Sequence, residues 1–504
     1  MGALFSVAEI RQAEQAAAAQ LAPGTLMQRA GQVAARIAID LLGETPAPPV
    51  LVLAGPGNNG GDALEVAANL AQAGVDVTVV HLACVGDPSA ETAHALAKAR
   101  ASTAEFTDAL PAGGPWALVV DGLFGIGLAR PVQGEARAMI EAVNALDCPV
   151  LALDVPSGLD ADSGAVIGPD GVAVRATHTV TFIGNKPGLH TFGGRDYAGE
   201  VLVARLGIAE DMLPGASVHL NEPHLFDLAF VARLHDSHKG SFGDVAVVGG
   251  ARGMAGAPIL AAKAALFSGA GRVYVASIDH GPAYDNAQPE LMFRDAANHN
   301  FDGSTIVAGP GMGDSATAIR VLARALDGDS PLVLDADALN LIAASPDLQS
   351  RLSARHASSI LTPHPLEAAR LLGVTAGVIQ GDRLEAAREI AARFDAYVVL
   401  KGSGTIIAMP DGEAAINPTG NPGLASAGTG DVLAGLCGSL MAQGWPARDA
   451  ALAAVWMHGE AADRLVAQGA GPIGLTAGEL PEAIRAVLNR MVAERPKRAG
   501  QPQS

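Results

Sequence analysis

The sequence predicts an α/β protein built on parallel sheets, and three observations carry that prediction. Apolar runs of strand length recur along the chain, separated by Ala-rich stretches with helical spacing. Gly (60) and Pro (31) are abundant while aromatics make up 4%, which suits a layered protein with many glycine-lined turns and disfavours an aromatic reader of nucleic acid or peptide. The 504 residues exceed what one core organises, at roughly 100–200 residues per domain.

The elements follow in order. Residues 50–54 read as a strand, followed by a glycine-rich loop and a helix over 63–73. Strands are predicted at 75–81, 117–121, 150–154 and 179–183, with a helix at 135–146. After Gly207 the rhythm fails, Pro214 and Pro223 interrupt, and a linker is expected over 209–224 between domains at 1–208 and 225–492. The second series has strands at 244–248, 272–276, 305–308, 331–334, 359–361, 397–400 and 405–408, with helices at 258–268, 316–326, 383–394 and 432–441. Residues 493–504 read as a flexible tail.

Composition excludes several classes. Lys plus Arg number 33 against 52 Asp plus Glu, a formal charge of −19, which repels nucleic acid and anionic membranes. Cys84, Cys148 and Cys437 are too few and too scattered for a disulfide framework or a tetrahedral metal site, which fits the cytoplasm. A mean hydropathy of +0.27 raises the question of a membrane span. The longest uncharged stretches, 45–61 and 432–447, are broken by Gly, Pro, Asn and Gln and fall short of the ~18 apolar residues a span needs. No basic region precedes an apolar run at the N-terminus, so no secretory signal is expected. Ala-rich apolar surfaces point to a homo-oligomer.

The sharpest motif of the first half is Gly55-Pro-Gly-Asn-Asn-Gly-Gly-Asp62, between a strand and a helix. Glycines there let the backbone approach an anion, and N–H groups at a helix start point at it. It matches neither a G-x-G-x-x-G fingerprint nor a P-loop, and standing alone it also reads as a βα turn with Asp62 as helix N-cap. Asp121-Gly-Leu-Phe-Gly-Ile-Gly127 and Asp154-Val-Pro-Ser157 also begin with carboxylates at strand ends, which converge on one crevice in a parallel sheet. Such oxygen donors suit a hard cation, although each Asp alone could be a turn former.

Together with LMQRAG (26–31) and TFIGNKPGL (181–189), these segments resemble the NAD(P)H-hydrate epimerase domain, or YjeF N-terminal domain, over residues 1–208. The resemblance implies a Rossmann-like three-layer domain. It implies that Asn58, Asn59, Gly60, Gly61 and Asp62, with Gly125, Ile126, Gly127, Leu128, Ala129, Arg130 and Pro131, bind the hydrated nicotinamide nucleotide, with Asp154 catalytic at its reacting ring. Asn59, Asp121 and Ser157 would hold a potassium ion. Lys186 reads equally as a phosphate or acid/base partner and as a solvated loop lysine.

In the second half Ala427-Gly-Thr-Gly430-Asp431 runs directly into an apolar helix. An anion hole followed by a carboxylate suits phosphoryl transfer, with Asp431 taking a proton from an attacking hydroxyl; an Asp N-cap is the alternative. Lys401-Gly-Ser-Gly-Thr405 reads as a tight turn gripping a nucleotide, and His364 is either a ligand contact or structural. With HKGSFG, GGARGMAGAP, GPGMG, DADALN and LTPHPLE in order, this half resembles the ADP-dependent NAD(P)H-hydrate dehydratase, a ribokinase-like three-layer domain, over residues 225–492. The resemblance implies substrate at Ala257, Gly311, His364 and catalytic Asp431. It implies the adenine nucleotide at Lys401, Gly402, Ser403, Gly404, Thr405 and Gly430, with ADP as co-substrate and Mg²⁺ beside it. Two alternatives stand at this stage: a small-molecule kinase on the same scaffold, and a non-catalytic N-terminal binding module.

Overall fold

The computed structural model describes residues 2–43, 48–83, 87–111, 113–279 and 281–494. Cys84 and residues 495–504 of the expected tail lie outside the described residues. The chain divides into two compact units, Met1–His219 and Leu220–Ser504.

The first unit begins with β1 (Ala3–Leu4), α1 (Val7–Ala18) and α2 (Thr25–Leu42). The alternating series follows: β2 (Val50–Ala54), α3 (Asn58–Gln72), β3 (Val77–His81), α4 (Ala90–Arg100), β4 (Glu105–Thr107), β5 (Leu118–Gly122), α5 (Gly134–Val143), β6 (Val150–Leu153), β7 (His178–Phe182), α6 (Gly194–Tyr197) and β8 (Glu200–Ala204). Strands β2 to β8 form one parallel sheet in the order β4-β3-β2-β5-β6-β7-β8. The chain reverses direction across the sheet between β2 and β5, and a crevice opens at the carboxyl ends of strands at such a switch point. All five residues of β2 are buried, as both faces of a parallel sheet require.

The second unit contains β10 (Asp244–Gly249), α7 (Gly256–Phe267), β11 (Arg272–Ser277), β12 (Met292–Asp295), β13 (Ser304–Ala308), α8 (Ala316–Asp327), β14 (Leu332–Leu334), α9 (Ala336–Ala344) and α10 (Pro346–Ser353), after a short β9 (Val218–Leu220) at the boundary. Then come β15 (Ser359–Leu361), α11 (Pro365–Leu372), α12 (Ala376–Gly381), α13 (Arg383–Phe394), β16 (Tyr397–Leu400), β17 (Ile406–Ala408), β18 (Ala414–Ile416), α14 (Thr429–Ala442), α15 (Ala447–Ala467) and α16 (Leu480–Glu494). The strands run in the order β18-β17-β16-β15-β14-β13-β10-β11-β12. Pairing is parallel from β12 to β16 and antiparallel from β16 to β18. Here the switch lies between β10 and β13.

Three expectations change. The helix placed at 63–73 starts at Asn58, with Gly57 as its N-cap, so the glycine-rich loop is itself the first helical turn and Asp62 is not the cap. The expected linker over 209–224 carries 3₁₀ turns at Glu210–Met212 and Pro223–Leu225 as well as β9, elements too short to show a sequence period. Residues 493 and 494, expected in the tail, end α16. Among the described residues no helix is long and apolar enough to cross a membrane.

Helix α14 is almost wholly buried, and α7 packs against it through Gly435, where an added Cβ would collide with the Ala261 carbonyl. Gly435→Val is therefore expected to cost about 3 kcal/mol and lower the melting temperature by roughly 6–12 °C. Gly256→Ala, with nothing within 4 Å of the added carbon, serves as the control and should melt close to wild type. Thermal denaturation followed by circular dichroism checks both.

Candidate active sites

In the first unit, the turn between β2 and α3 depends on close backbone approach. A Cβ at Gly55 would strike the Leu123 carbonyl, and one at Gly60 the Gly55 carbonyl, so glycine alone lets α3 begin this near the sheet. The helix start opens onto a cavity of about 750 Å³. Of the predicted residues, Asn58, Asn59, Asp62, Gly125, Ile126, Gly127, Leu128, Ala129, Arg130 and Asp154 line it, whereas Gly60, Gly61 and Pro131 do not. Gly61 packs on Met27, and Pro131 packs on Gly168.

Asp121 and Ser157, both fully buried, form a hydrogen-bonded unit behind the cavity. Ser157 Oγ donates to Asp121 Oδ1 at 2.6 Å, the Ser157 N–H to Oδ2 at 2.8 Å, and the Leu123 N–H to Oδ1 at 3.2 Å. Burial raises the Asp121 carboxyl to about 6, against the lowering pull of these bonds. Asn59 Nδ2 donates to the Leu153 carbonyl at 3.2 Å, while its buried Oδ1 has no hydrogen-bond partner among the described residues.

Asp154 sits at the end of β6 with φ of 66°, a left-handed conformation costing about 1–2 kcal/mol. Its Oδ2 accepts the Ile126 N–H at 3.3 Å, and its Oδ1 accepts the Lys186 ammonium at 2.6 Å. Lys186 is 0% exposed, so the solvated-lysine reading is wrong. Sequence reasoning assigned no cavity role to Arg11 and Glu14, which α1 supplies. The signal was present: Ser6 and Glu9 form a capping box, with Ser6 N–H donating to Glu9 Oε2 at 2.7 Å. The Asp62 carboxyl is held well above its usual range, by burial first and then by the charges of Asp154 and Glu14.

In the second unit, α14 starts after Gly428 (φ 91°), which is its N-cap, so Asp431 lies within the first turn rather than capping it. Asp431 is raised to about 7, by burial first and then by Asp335, with Lys401 opposing and Asp337 adding. Lys401 Nζ donates to Asp335 Oδ1 at 2.6 Å and lies 3.9 Å from Glu367 Oε2. It also lies 3.3 Å from where a Cβ on Gly430 would stand, which brings Lys401, Asp335, Gly430 and Asp431 together. Burial draws the ammonium pKa down, but the Asp335 and Glu367 charges outweigh it and leave the pKa raised.

The loop from Gly402 to Thr405 closes an antiparallel turn, with Thr405 Oγ1 donating to the Gly402 carbonyl at 3.0 Å and positive φ at Gly402 and Gly404. Thr405, expected in the strand, precedes it; Ser403 is exposed at the tip. Beneath it the buried Arg383 donates to the Leu400 and Lys401 carbonyls, each at 3.2 Å, a support that sequence reasoning missed.

Ala257 and Gly311 adjoin, since a Cβ on Gly311 would lie 3.3 Å from that of Ala257. His364 is the N-cap of α11, its Nδ1 accepting the N–H groups of Leu366 (3.1 Å) and Glu367 (3.3 Å). Burial, then Lys401, lowers its pKa, and an Nδ1 that accepts two N–H groups leaves the ring hydrogen to Nε2.

Comparison with known proteins adds an independent observation. Residues 23–188 match the family described as YjeF-related protein N-terminus, and residues 245–485 match NAD(P)H-hydrate dehydratase. A bifunctional NAD(P)H-hydrate repair enzyme of Coxiella burnetii is 38% identical, covering 97% of this chain and 100% of that protein. The Escherichia coli protein of the same description is 35% identical, over 93% of this chain and 90% of its own. An ADP-dependent (S)-NAD(P)H-hydrate dehydratase of Neisseria meningitidis is 48% identical over 54% of this chain and 92% of its own. A crystal structure of the Bacillus subtilis ADP/ATP-dependent NAD(P)H-hydrate dehydratase, co-crystallised with ATP/Mg²⁺, aligns at 31% identity and a TM-score of 0.48, over 54% of this chain and 98% of that one. With similarity running the full length of such relatives, the chain belongs to the bifunctional NAD(P)H-hydrate repair enzyme family.

Proposed function

We propose that the chain repairs hydrated nicotinamide cofactors in two steps: the first unit interconverts the R and S hydrates of NADH and NADPH, and the second dehydrates the S form while ADP becomes AMP and phosphate. The observation that carries the reading is a raised carboxyl, Asp431, in the first turn of a helix beside a lysine, on the same chain as a carboxylate-lined cavity. A helix N-terminus and a lysine hold phosphate, and a carboxyl titrating near 7 is matched to accepting a hydroxyl proton.

In the second unit the hydroxyl on the carbon beside the ring nitrogen loses its proton to Asp431 and attacks the β-phosphorus of ADP, so AMP leaves. Phosphate is then the leaving group that hydroxide could not be. The nitrogen lone pair expels it, and loss of a proton from the neighbouring carbon restores the ring double bond. Lys401 and the N–H groups at the start of α14 bind the transferred group; Ala257, Gly311 and His364 bind the hydrate; Gly402, Ser403, Gly404 and Thr405 bind the nucleotide. Bound with the nucleotide, Mg²⁺ would supply charge neutralisation for such a transfer.

In the first unit Asp154 is the proton carrier. A proton that Asp154 Oδ2 takes up from solvent passes to the hydroxyl, the ring nitrogen expels it as water, and water re-enters the planar cation from the other face, its surplus proton returning to Asp154. One observation supports a potassium ion beside this site, the buried Asn59 oxygen with no partner among the described residues, and Asn59, Asp121 and Ser157 would hold it. It would fix the strand ends electrostatically. The reading includes a cytoplasmic, homo-oligomeric enzyme.

The test is to supply mixed hydrate epimers with ADP and follow the absorbance of reduced nicotinamide together with AMP and phosphate. A stable phosphorylated hydrate would instead make the chain a kinase. Asp431→Asn should cut dehydration by about 10²–10⁴-fold and leave epimerisation intact. Because Asp431 must be ionised to act, the wild-type dehydration rate should halve near pH 7 and fall about tenfold for each unit below it. Asp154→Asn should consume the S epimer at the wild-type rate and leave the R epimer to its spontaneous inversion, which a chiral separation of the remaining hydrate would reveal.

A further inference from the structure

Lys186 does not reach the cavity, yet it makes the shortest bond to the carboxylate that does. Its three ammonium hydrogens are all committed: to Asp154 Oδ1 at 2.6 Å, Thr181 Oγ1 at 2.7 Å and the Phe182 carbonyl at 2.9 Å. An ion pair this deeply buried, with Lys186 sealed and the Asp154 side chain 12% exposed, is a weak stabiliser, because desolvating two charges offsets their attraction and apolar replacements are often neutral. Stability alone therefore gives little reason for a lysine at this position.

The geometry around it is directional. Asp154 Oδ1 faces inward, accepting from Lys186 and, at 3.4 Å, from the Phe182 N–H. Oδ2 faces the loop after β5, where among the described residues it accepts only the Ile126 N–H at 3.3 Å, and lies 3.2 Å from where a Gly125 Cβ would stand. The backbone is strained on both sides of the pair, at Asp154 (φ 66°) and at Ile183 (φ 70°), a β-branched residue for which left-handed backbone is an outlier. Such strain persists where surrounding structure over-determines it, and it gathers at working sites.

We infer that Lys186 is a positioning residue for the first unit's reaction: it pins Asp154 Oδ1 so that Oδ2 alone is presented to the hydroxylated carbon of the substrate. The inference rests on the epimerase reading of that cavity. Thr181 holds the ammonium from the other side, and together they fix the carboxylate rotamer that the ring must meet. A carboxylate free to rotate would still bind the nucleotide, whose contacts lie elsewhere, but would meet the reacting carbon in the wrong orientation. Misplacement of a reacting group by about 1 Å costs on the order of 10²-fold in rate.

The experiment uses the full chain with pure R hydrate, coupling epimerisation to the second unit in excess ADP. For Lys186→Met the expected result is a kcat about 10²-fold lower with KM within about 3-fold of wild type, while dehydration of the S hydrate is unchanged. Should Lys186→Met fail to fold, Thr181→Val removes one anchor and leaves the charge, and kcat should fall about 3–10-fold at constant KM. Adding methylammonium to Lys186→Ala should restore part of kcat, which a packing role would not permit. A folded Lys186→Met or Thr181→Val protein with wild-type kcat, or one in which KM alone rises, overturns the inference. If the wild-type chain itself does not accelerate inversion, the epimerase reading falls first, and the two failures are distinct.

Discussion

Both sites depend on one constraint: a helix N-terminus has to pack against its surroundings more closely than a side chain allows. In the first unit Gly55 and Gly60 meet the crossing backbone with no room for a Cβ, and that contact sets where Asn58, Asn59 and Asp62 open onto the cavity. In the second unit Gly428 turns the chain into α14 through left-handed backbone, and a Cβ there would meet Leu260 at 2.6 Å. In the first unit the sheet reverses its strand order between β2 and β5, so the crevice that α3 faces is a consequence of topology.

On that frame each unit sets a lysine against a strand-end aspartate, Lys186 on Asp154 and Lys401 on Asp335, both at 2.6 Å. In each case a left-handed non-glycine residue stands at the same place, Asp154 itself and Ala336 next to Asp335. The lysines differ in reach: Lys186 is sealed from solvent, whereas Lys401 is 20% exposed and can meet a ligand directly. A formal charge of −19 is therefore no obstacle to binding phosphorylated nucleotides. At distances of a few ångströms Lys401 and the helix N–H groups outweigh the distant field.

Much of the frame was legible because glycine-rich strand ends carry their conformational reason in the residue type. Strand β2 matches its expected bounds, as does α13, and Asp154 directly follows β6, whereas α14 starts at Thr429 rather than at 432 and so takes Asp431 into its first turn. Other features were not legible for physical reasons. The first turn of α3, Asn58 to Gly61, consists of poor helix formers held by packing on Gly55, so tertiary contact overrides local preference. Strand β9 is three residues long, and no period can be read from three residues. The capping box at Ser6 was readable and marks the start of α1, but its contribution to the cavity depends on the fold around it. Lys186 illustrates the limit most sharply: a lysine flanked by Asn and Pro reads as a loop cation, and only the packed structure shows it buried on Asp154.

The central claim is that two chemistries on one chain act in series on one metabolite. The most direct measurement gives the wild-type chain pure R hydrate and ADP and counts products. The account predicts reduced nicotinamide cofactor formed faster than spontaneous inversion permits, with one AMP and one phosphate released for each cofactor regenerated. Formation limited to the spontaneous rate, or AMP accumulating beside a phosphorylated hydrate, would contradict it.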